Sequence, residues 1–137
     1  MGGHPCKRYV FQIIFEKGMY GGLEHMHSSS NVFDGFLLDD PKQYENLLGL
    51  LAHEHFHIWN IKRIRPEAFA TYEYADEVYT KDLWMAEGIT RFYDDHSLVR
   101  SGFTSVPRYL EIVGEMLDRV HNSKGYAVTS LSQSSFD

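Results

Sequence analysis

The sequence predicts an α+β fold: a small mixed or antiparallel sheet packed on one long helix, followed by further helices. Three observations carry that expectation. Residues 9 to 16, YVFQIIFE, are aromatic and β-branched enough to form a strand. Two stretches, 42 to 60 and 80 to 97, repeat apolar residues at helical spacing. A third, 105 to 121, carries one apolar stripe of Val106, Leu110, Val113, Leu117 and Val120.

Each element follows from its residues. A second strand is expected from Leu23 to Phe33, interrupted by Ser28-Ser29-Ser30. Asp39-Asp40-Pro41 supplies a helix N-cap with proline at the first helical position, and Tyr44, Leu47, Leu48 and Leu51 then mark a core-facing side. Thr80 is the expected N-cap of the second helix, with Asp82 favourable in its first turn. Asn122 to Gly125 ends the third helix. The sheet part is placed at about 5 to 35 and the helical part at about 41 to 121. The tail, about 122 to 137, is rich in serine, short of packing residues and expected to be loose. Trp59, Trp84, Phe92 and Tyr93 are expected to fill the core, with some of them free to wall a pocket.

The run LAHEHFHIWN at 50 to 59 contains His53-Glu54-x-x-His57. Four residues on a helix advance about 6 Å and turn roughly 400°, so His53 and His57 lie one above the other within reach of one metal ion. Two neutral imidazoles suit Zn²⁺, which in a catalytic site takes three protein ligands and keeps a position for water. Glu54 stands beside that pair, where it can accept a proton from water activated by the metal. His55, about 200° round the helix, belongs to the surface or supports the site from behind.

The third ligand is sought in the next helix. Leu83, Ala86, Thr90 and Tyr93 share a face with Glu87, the one carboxylate embedded in the apolar part of that helix. A buried unpaired carboxylate is costly, and binding to zinc removes that cost. The competing explanation is an ion pair between Glu87 and Arg91.

The segments GGLEH (21 to 25), HEHFHIWNIKRIRP (53 to 66) and LWMAEGITRFYDD (83 to 95) resemble the glycyl aminopeptidase family M61 of zinc metallopeptidases, which are thermolysin-like gluzincins and usually carry a PDZ domain. The resemblance covers essentially the whole chain. It implies a fragment of a thermolysin-like catalytic domain, with His53, His57 and Glu87 as zinc ligands and Glu54 as general base. It implies that Glu24 anchors the free amino terminus of a peptide substrate, with the Gly21-Gly22 backbone lining the cleft and pairing with the peptide. Without the resemblance, Gly21-Gly22 reads as a turn or bulge and Glu24 as an exposed strand residue. It also implies two partners beyond the substrate, the remainder of the parent catalytic domain and a PDZ domain. The family pattern includes a downstream tyrosine in a segment like YYxKG that stabilises the oxyanion. No such segment occurs here, and Tyr93 and Tyr126 are the nearest substitutes. The chain therefore reads as part of a longer enzyme, with zinc binding expected ahead of efficient turnover, and its MGGH start reads partly as an added end. The rival reading from another class is a noncatalytic zinc- or peptide-binding module, and behind it stands a structural domain with a coincidental HExxH.

Length and composition agree with a single domain. The 137 residues carry a formal charge of −6 with an isoelectric point near 5.7, which argues against a general nucleic-acid binder. The basic cluster Lys62-Arg63-Ile64-Arg65 reads as a solvated helix end and a scaffold for the zinc helix's exit. One cysteine, Cys6, permits no intramolecular disulfide and leaves the redox compartment open between cytoplasm and periplasm. No run of about 20 apolar residues suggests a membrane span, and no secretory signal is evident.

Overall fold

The computed structural model describes residues 3–71 and 75–136. Met1, Gly2 and Asp137, the ends of the MGGH start and of the tail, lie outside the described residues. The element order is β1 (Val10–Phe15), β2 (Tyr20–Glu24), β3 (Ser28–Phe33), α1 (Pro41–Phe56), α2 (Leu83–Ser101), α3 (Val106–His121) and α4 (Leu131–Phe136), with two short 3₁₀ turns at Gly35–Leu37 and Glu67–Phe69. This is the expected α+β architecture, and the sheet is mixed.

The strand order is β1-β3-β2, with β1 parallel to β3 and β2 antiparallel to it. Side chains alternate across the sheet, so Ser29, Asn31 and Phe33 share one face, with Glu24, Gly22 and Tyr20 as their register partners on β2. Ser29, Asn31 and Phe33 are buried, and β2 and β3 both pack against α1. The register thereby points Gly22 and Glu24 toward the helix that carries His53-Glu54-x-x-His57. The strand expected over Leu23 to Phe33 divides into β2 and β3. The break falls at residues 25 to 27, where the His25 N–H donates to Ser28 O at 2.8 Å and turns the chain, while the three serines lie inside β3. Serine tolerates the strand there because Ser29 is fully buried and its hydroxyl accepts from Asn31 Nδ2 at 3.0 Å.

Helix α1 starts as its sequence requires, with the Asp40 side chain accepting from the Lys42 N–H and Pro41 at the first position. Its inward residues Leu47 and Leu50 join Phe33 in the core, flanked by Leu38 and Leu51. Tyr44, expected on that side, is 48% exposed, because it precedes the turn at which the helix meets the sheet. The regular helix ends at Phe56. From there Trp59 O accepts from the N–H groups of Arg63 and Ile64, and the Lys62 N–H donates to His57 O at 3.0 Å. Within this wound exit Ile61 has φ 106°. A β-branched residue there costs on the order of 1–3 kcal/mol, offset by burial of the isoleucine side chain, which is 7% exposed.

Asp82 is the N-cap residue of α2, and Thr80 stands two residues earlier, where its hydroxyl accepts from the Asp82 N–H. Gly102, at φ 81°, closes α2 in the left-handed conformation that glycine adopts at least cost. Trp84 and Phe92 do not fill the core, being 43% and 53% exposed on the outward side of α2. The apolar stripe of α3 also faces outward: Val106, Leu110, Leu117 and Val120 are all more than half exposed. Part of the tail is helical. It forms α4, whose Ser135 hydroxyl accepts from the Trp84 N–H at 2.9 Å and whose Phe136 ring meets Tyr79.

Among the described residues, no helix is long and apolar enough to cross a membrane. With so few aliphatic residues in the core, Phe33 carries much of the contact between sheet and helix. Phe33→Ala is expected to destabilise the fold by about 3–5 kcal/mol, read as a lowered midpoint in urea unfolding.

Candidate metal centre

The two histidines of α1 converge on one carboxylate of α2. His53 Nε2 lies 3.0 Å from Glu87 Oε2, and His57 Nε2 lies 3.8 Å from Glu87 Oε1. These values bracket the roughly 3.3 Å between neighbouring ligands around a tetrahedral ion with bonds near 2.0 Å. Ligand atoms of all three residues lie within 4.8 Å of one another. Glu87 does not pair with Arg91, whose guanidinium instead reaches Asp94 and Asp95, each at 3.3 Å.

The remaining ring nitrogens are occupied from behind. His53 Nδ1 donates to Asp94 Oδ2 at 2.8 Å, and Asp94 is fully buried. His57 Nδ1 donates to the backbone oxygen of Asn60 at 2.9 Å. Each contact leaves Nε2 facing Glu87, and backing of this kind fixes tautomer and ring orientation in metal-binding histidines. Asn60 then ties this corner to α2, its side-chain amide donating to Ala86 O at 2.8 Å and to Thr90 Oγ1 at 3.0 Å. Asp94 and Asn60 were not singled out from sequence. Asp94 stands 41 positions beyond its histidine, and its spacing from Arg91 reads in sequence as an ordinary ion pair within one helix.

The carboxylates of this donor set favour positive charge at its centre. Burial alone would lower the pKa of His53, yet its hydrogen bonds to Asp94 and Glu87 outweigh it and raise the value to about 9. The hydrogen bond with His53 holds Glu87 below its ordinary value. Burial lowers His57, which favours the neutral imidazole that ligation requires. Glu54 is 5% exposed, and burial pushes it up to about 7, against the nearby His53 and with help from Glu24, Glu87 and Asp94.

Glu54 also lies over the sheet. A Cβ on Gly22 would overlap Oε1 and Cδ of Glu54 and stand 2.5 Å from its Cγ. Gly22 therefore occupies a regular strand position, neither turn nor bulge, and its missing side chain makes room for that carboxylate. Glu24, two residues on, is not an exposed strand residue. Its carboxylate lies with those of Glu54 and the imidazole of His57 inside a 4.8 Å cluster, and it pairs with Lys62 Nζ at 2.9 Å. Lys62 is thus not part of a solvated helix end. Its neighbour Arg63 does serve that end, donating to Ile58 O at 2.6 Å.

A cavity of about 480 Å³ opens beside His53 and Glu54, walled by Tyr20 and Gly22 of β2, Arg91 and Asp95 of α2, and Met116 of α3. Tyr20 was not anticipated there. Neither Tyr93 nor Tyr126 lines it: Tyr93 stacks on Phe56 with ring centres 4.6 Å apart, and Tyr126 lies edge-on to His121. His55 faces away from Glu87, its Nε2 3.0 Å from that of His4 and its ring against Tyr9 and Trp59.

A mixed sheet covers a helix whose two imidazoles meet a carboxylate of the next helix, three groups that could together hold one metal ion. A family model described as M61 glycyl aminopeptidase matches residues 46–137. The chain belongs to that family. The crystal structure of an aminopeptidase N family protein from Idiomarina loihiensis matches with a TM-score of 0.87 at 36% identity, covering 96% of this chain and 24% of that one. This chain therefore spans about a quarter of that protein. No curated protein matches the sequence.

Gly22→Ala tests the contact between strand and helix. The folded state is expected to survive, because the clash is with a side chain that can swing aside, while Glu54 loses its position. The expected result is an unchanged circular dichroism spectrum together with a fall of at least about a hundredfold in any peptide hydrolysis that depends on Glu54.

Proposed function

We propose that this chain is the zinc-binding part of a peptidase that hydrolyses the amino-terminal peptide bond of peptides with a free α-amine. The observation that carries the proposal is the convergence of both Nε2 atoms on Glu87 while Asp94 and Asn60 occupy both Nδ1 atoms. Two neutral imidazoles and one carboxylate, backed by hydrogen-bond acceptors, suit Zn²⁺ better than an oxygen-preferring cation. His53, His57 and Glu87 would hold the ion. When bound there, zinc supplies Lewis acidity, which lowers the pKa of water toward neutrality and polarises a carbonyl.

The protein groups do the rest. Glu54, with a pKa near 7, is placed to take a proton from water and return it to the leaving amine. Its buried position keeps it basic near neutral pH, where an ordinary glutamate would be a weak base. β2 is an edge strand of the sheet, so a peptide can lie along it as an added strand with backbone pairing past Gly21 and Gly22. Glu24, at the end of β2 and beside Glu54 and His57, accepts the substrate's α-ammonium. The leaving part of the peptide extends into the cavity beside Tyr20 and Arg91. The remainder of the catalytic domain and a PDZ domain belong to the longer protein in this reading.

Metal content measured by inductively coupled plasma mass spectrometry tests the ligand set. About one zinc per chain is expected in the wild type and in Glu54→Gln, and little in His53→Ala or Glu87→Ala. Wild-type protein that takes up no zinc after reconstitution sinks the proposal. Glu54→Gln is expected to lower hydrolysis of a peptide amide by about 10²–10⁴-fold with its zinc retained. Asp94→Asn should weaken zinc binding by about 10–100-fold in a chelator competition, because His53 loses the partner that fixes its ring.

A further inference from the structure

Lys62 lies in the basic cluster that follows the zinc helix, yet its ammonium is directed inward at Glu24 Oε1, 2.9 Å away. Both side chains are largely sheltered, at 12% and 20% exposure, so this pair differs from a solvated surface bridge. The backbone is shaped to deliver it. Ile61 holds φ 106°, its N–H donates to Ile64 O at 2.7 Å, and the Lys62 N–H donates to the backbone oxygen of His57. A buried β-branched residue persists in that conformation only where its surroundings over-determine it. The stem of Lys62 is therefore fixed to the turn that also positions His57.

We propose that Lys62 is a positioning residue of the amine-binding corner, holding one oxygen of Glu24 so that the carboxylate stays turned toward Glu54 and His57 to receive a peptide's α-ammonium. The inference rests on the reading of Glu24 as the amine anchor. Glu24, Glu54 and Glu87 bring three carboxylates to one small region, and repulsion from Glu54 would turn an unpaired Glu24 out toward water. A carboxylate offers about four lone-pair positions on two oxygens, so Lys62 engages one side and leaves the other for a second cationic donor. Lys62 acts through Glu24 and touches no reacting atom.

The test is a titration of zinc-loaded protein, followed by NMR, with glycinamide and with N-acetylglycinamide, which lacks the charged amine. The wild type is expected to prefer glycinamide. Lys62→Met keeps the stem and removes the charge, and should weaken glycinamide binding about ten-fold or more, with zinc content and N-acetylglycinamide binding unchanged. Lys62→Arg should recover part of the loss. Glu24→Gln should show the same selective defect, and Glu24→Gln combined with Lys62→Met should be no worse than Glu24→Gln alone, as expected of residues acting in one unit. A wild-type preference that survives Lys62→Met, or two losses that simply add, overturns the role of Lys62. A wild type without any preference for the free amine overturns the reading of Glu24 itself, and this inference with it.

Discussion

The hydrogen bond from His53 to Asp94 is the constraint on which the site depends. It joins α1 to α2 through a carboxylate that no solvent reaches, and it sets the rotation of one helix against the other. Removing either partner strands the other, and a buried group left without its hydrogen bond costs about 1–3 kcal/mol, more when charged. Arg91 supports Asp94 from the opposite side. The contact between the two helices is consequently polar, with Thr90, Asp94 and Asn60 buried where a structural helix pair would place aliphatic residues. Such a contact contributes less to stability than close-packed hydrocarbon, but it specifies geometry more narrowly because each hydrogen bond has a direction.

That division of labour runs through the molecule. The apolar core of Phe33, Leu47 and Leu50 holds the sheet to the middle of α1, whereas the last turn of the same helix carries His53 and Glu54. The exit from α1 joins the two regimes. Burial of Ile58 and Ile61 secures a turn whose carbonyl at Asn60 orients His57, so hydrophobic packing stabilises the backbone and the backbone in turn fixes an imidazole.

How far the site was legible in the sequence depended on whether its parts lie within one element. His53, Glu54 and His57 share one helix, where a fixed rise and rotation turn spacing into geometry. The Asp40-Pro41 helix start was legible for the same reason. Glu87 needed the weaker argument of a carboxylate on an apolar face, and an ion pair with Arg91 fitted the same spacing until the structure gave that guanidinium to Asp94 and Asp95. Asp94, Asn60 and Lys62 were not legible, because their partners come from other elements. Lys62 was also disguised by its neighbours: in a run of Lys-Arg-Ile-Arg the simple expectation is a solvated end, and only the backbone of Ile61 sends one of those charges inward. The fold class followed from periodicity. The strand division did not, since serine is a poor marker of a strand and Ser28 to Ser30 stand within one because of what they pair with. α4 was not legible for a related reason, as it is a short helix whose contacts are to Trp84 and Tyr79 far away in sequence.

The absent side chain at Gly22 has a consequence for how this site can vary. Glycine is usually kept for its backbone freedom, but this one sits in an ordinary strand, and what restricts it is the volume taken by Glu54. The two positions therefore form a single compound character. A methyl group at 22 would meet the glutamate at Cγ as well as at its carboxyl end, so even an aspartate at 54, which keeps a Cγ, would stay in its way. A side chain at 22 therefore requires a residue at 54 cut back beyond Cγ, which is no longer an acid, so the carboxylate and the bare strand position are kept or lost together.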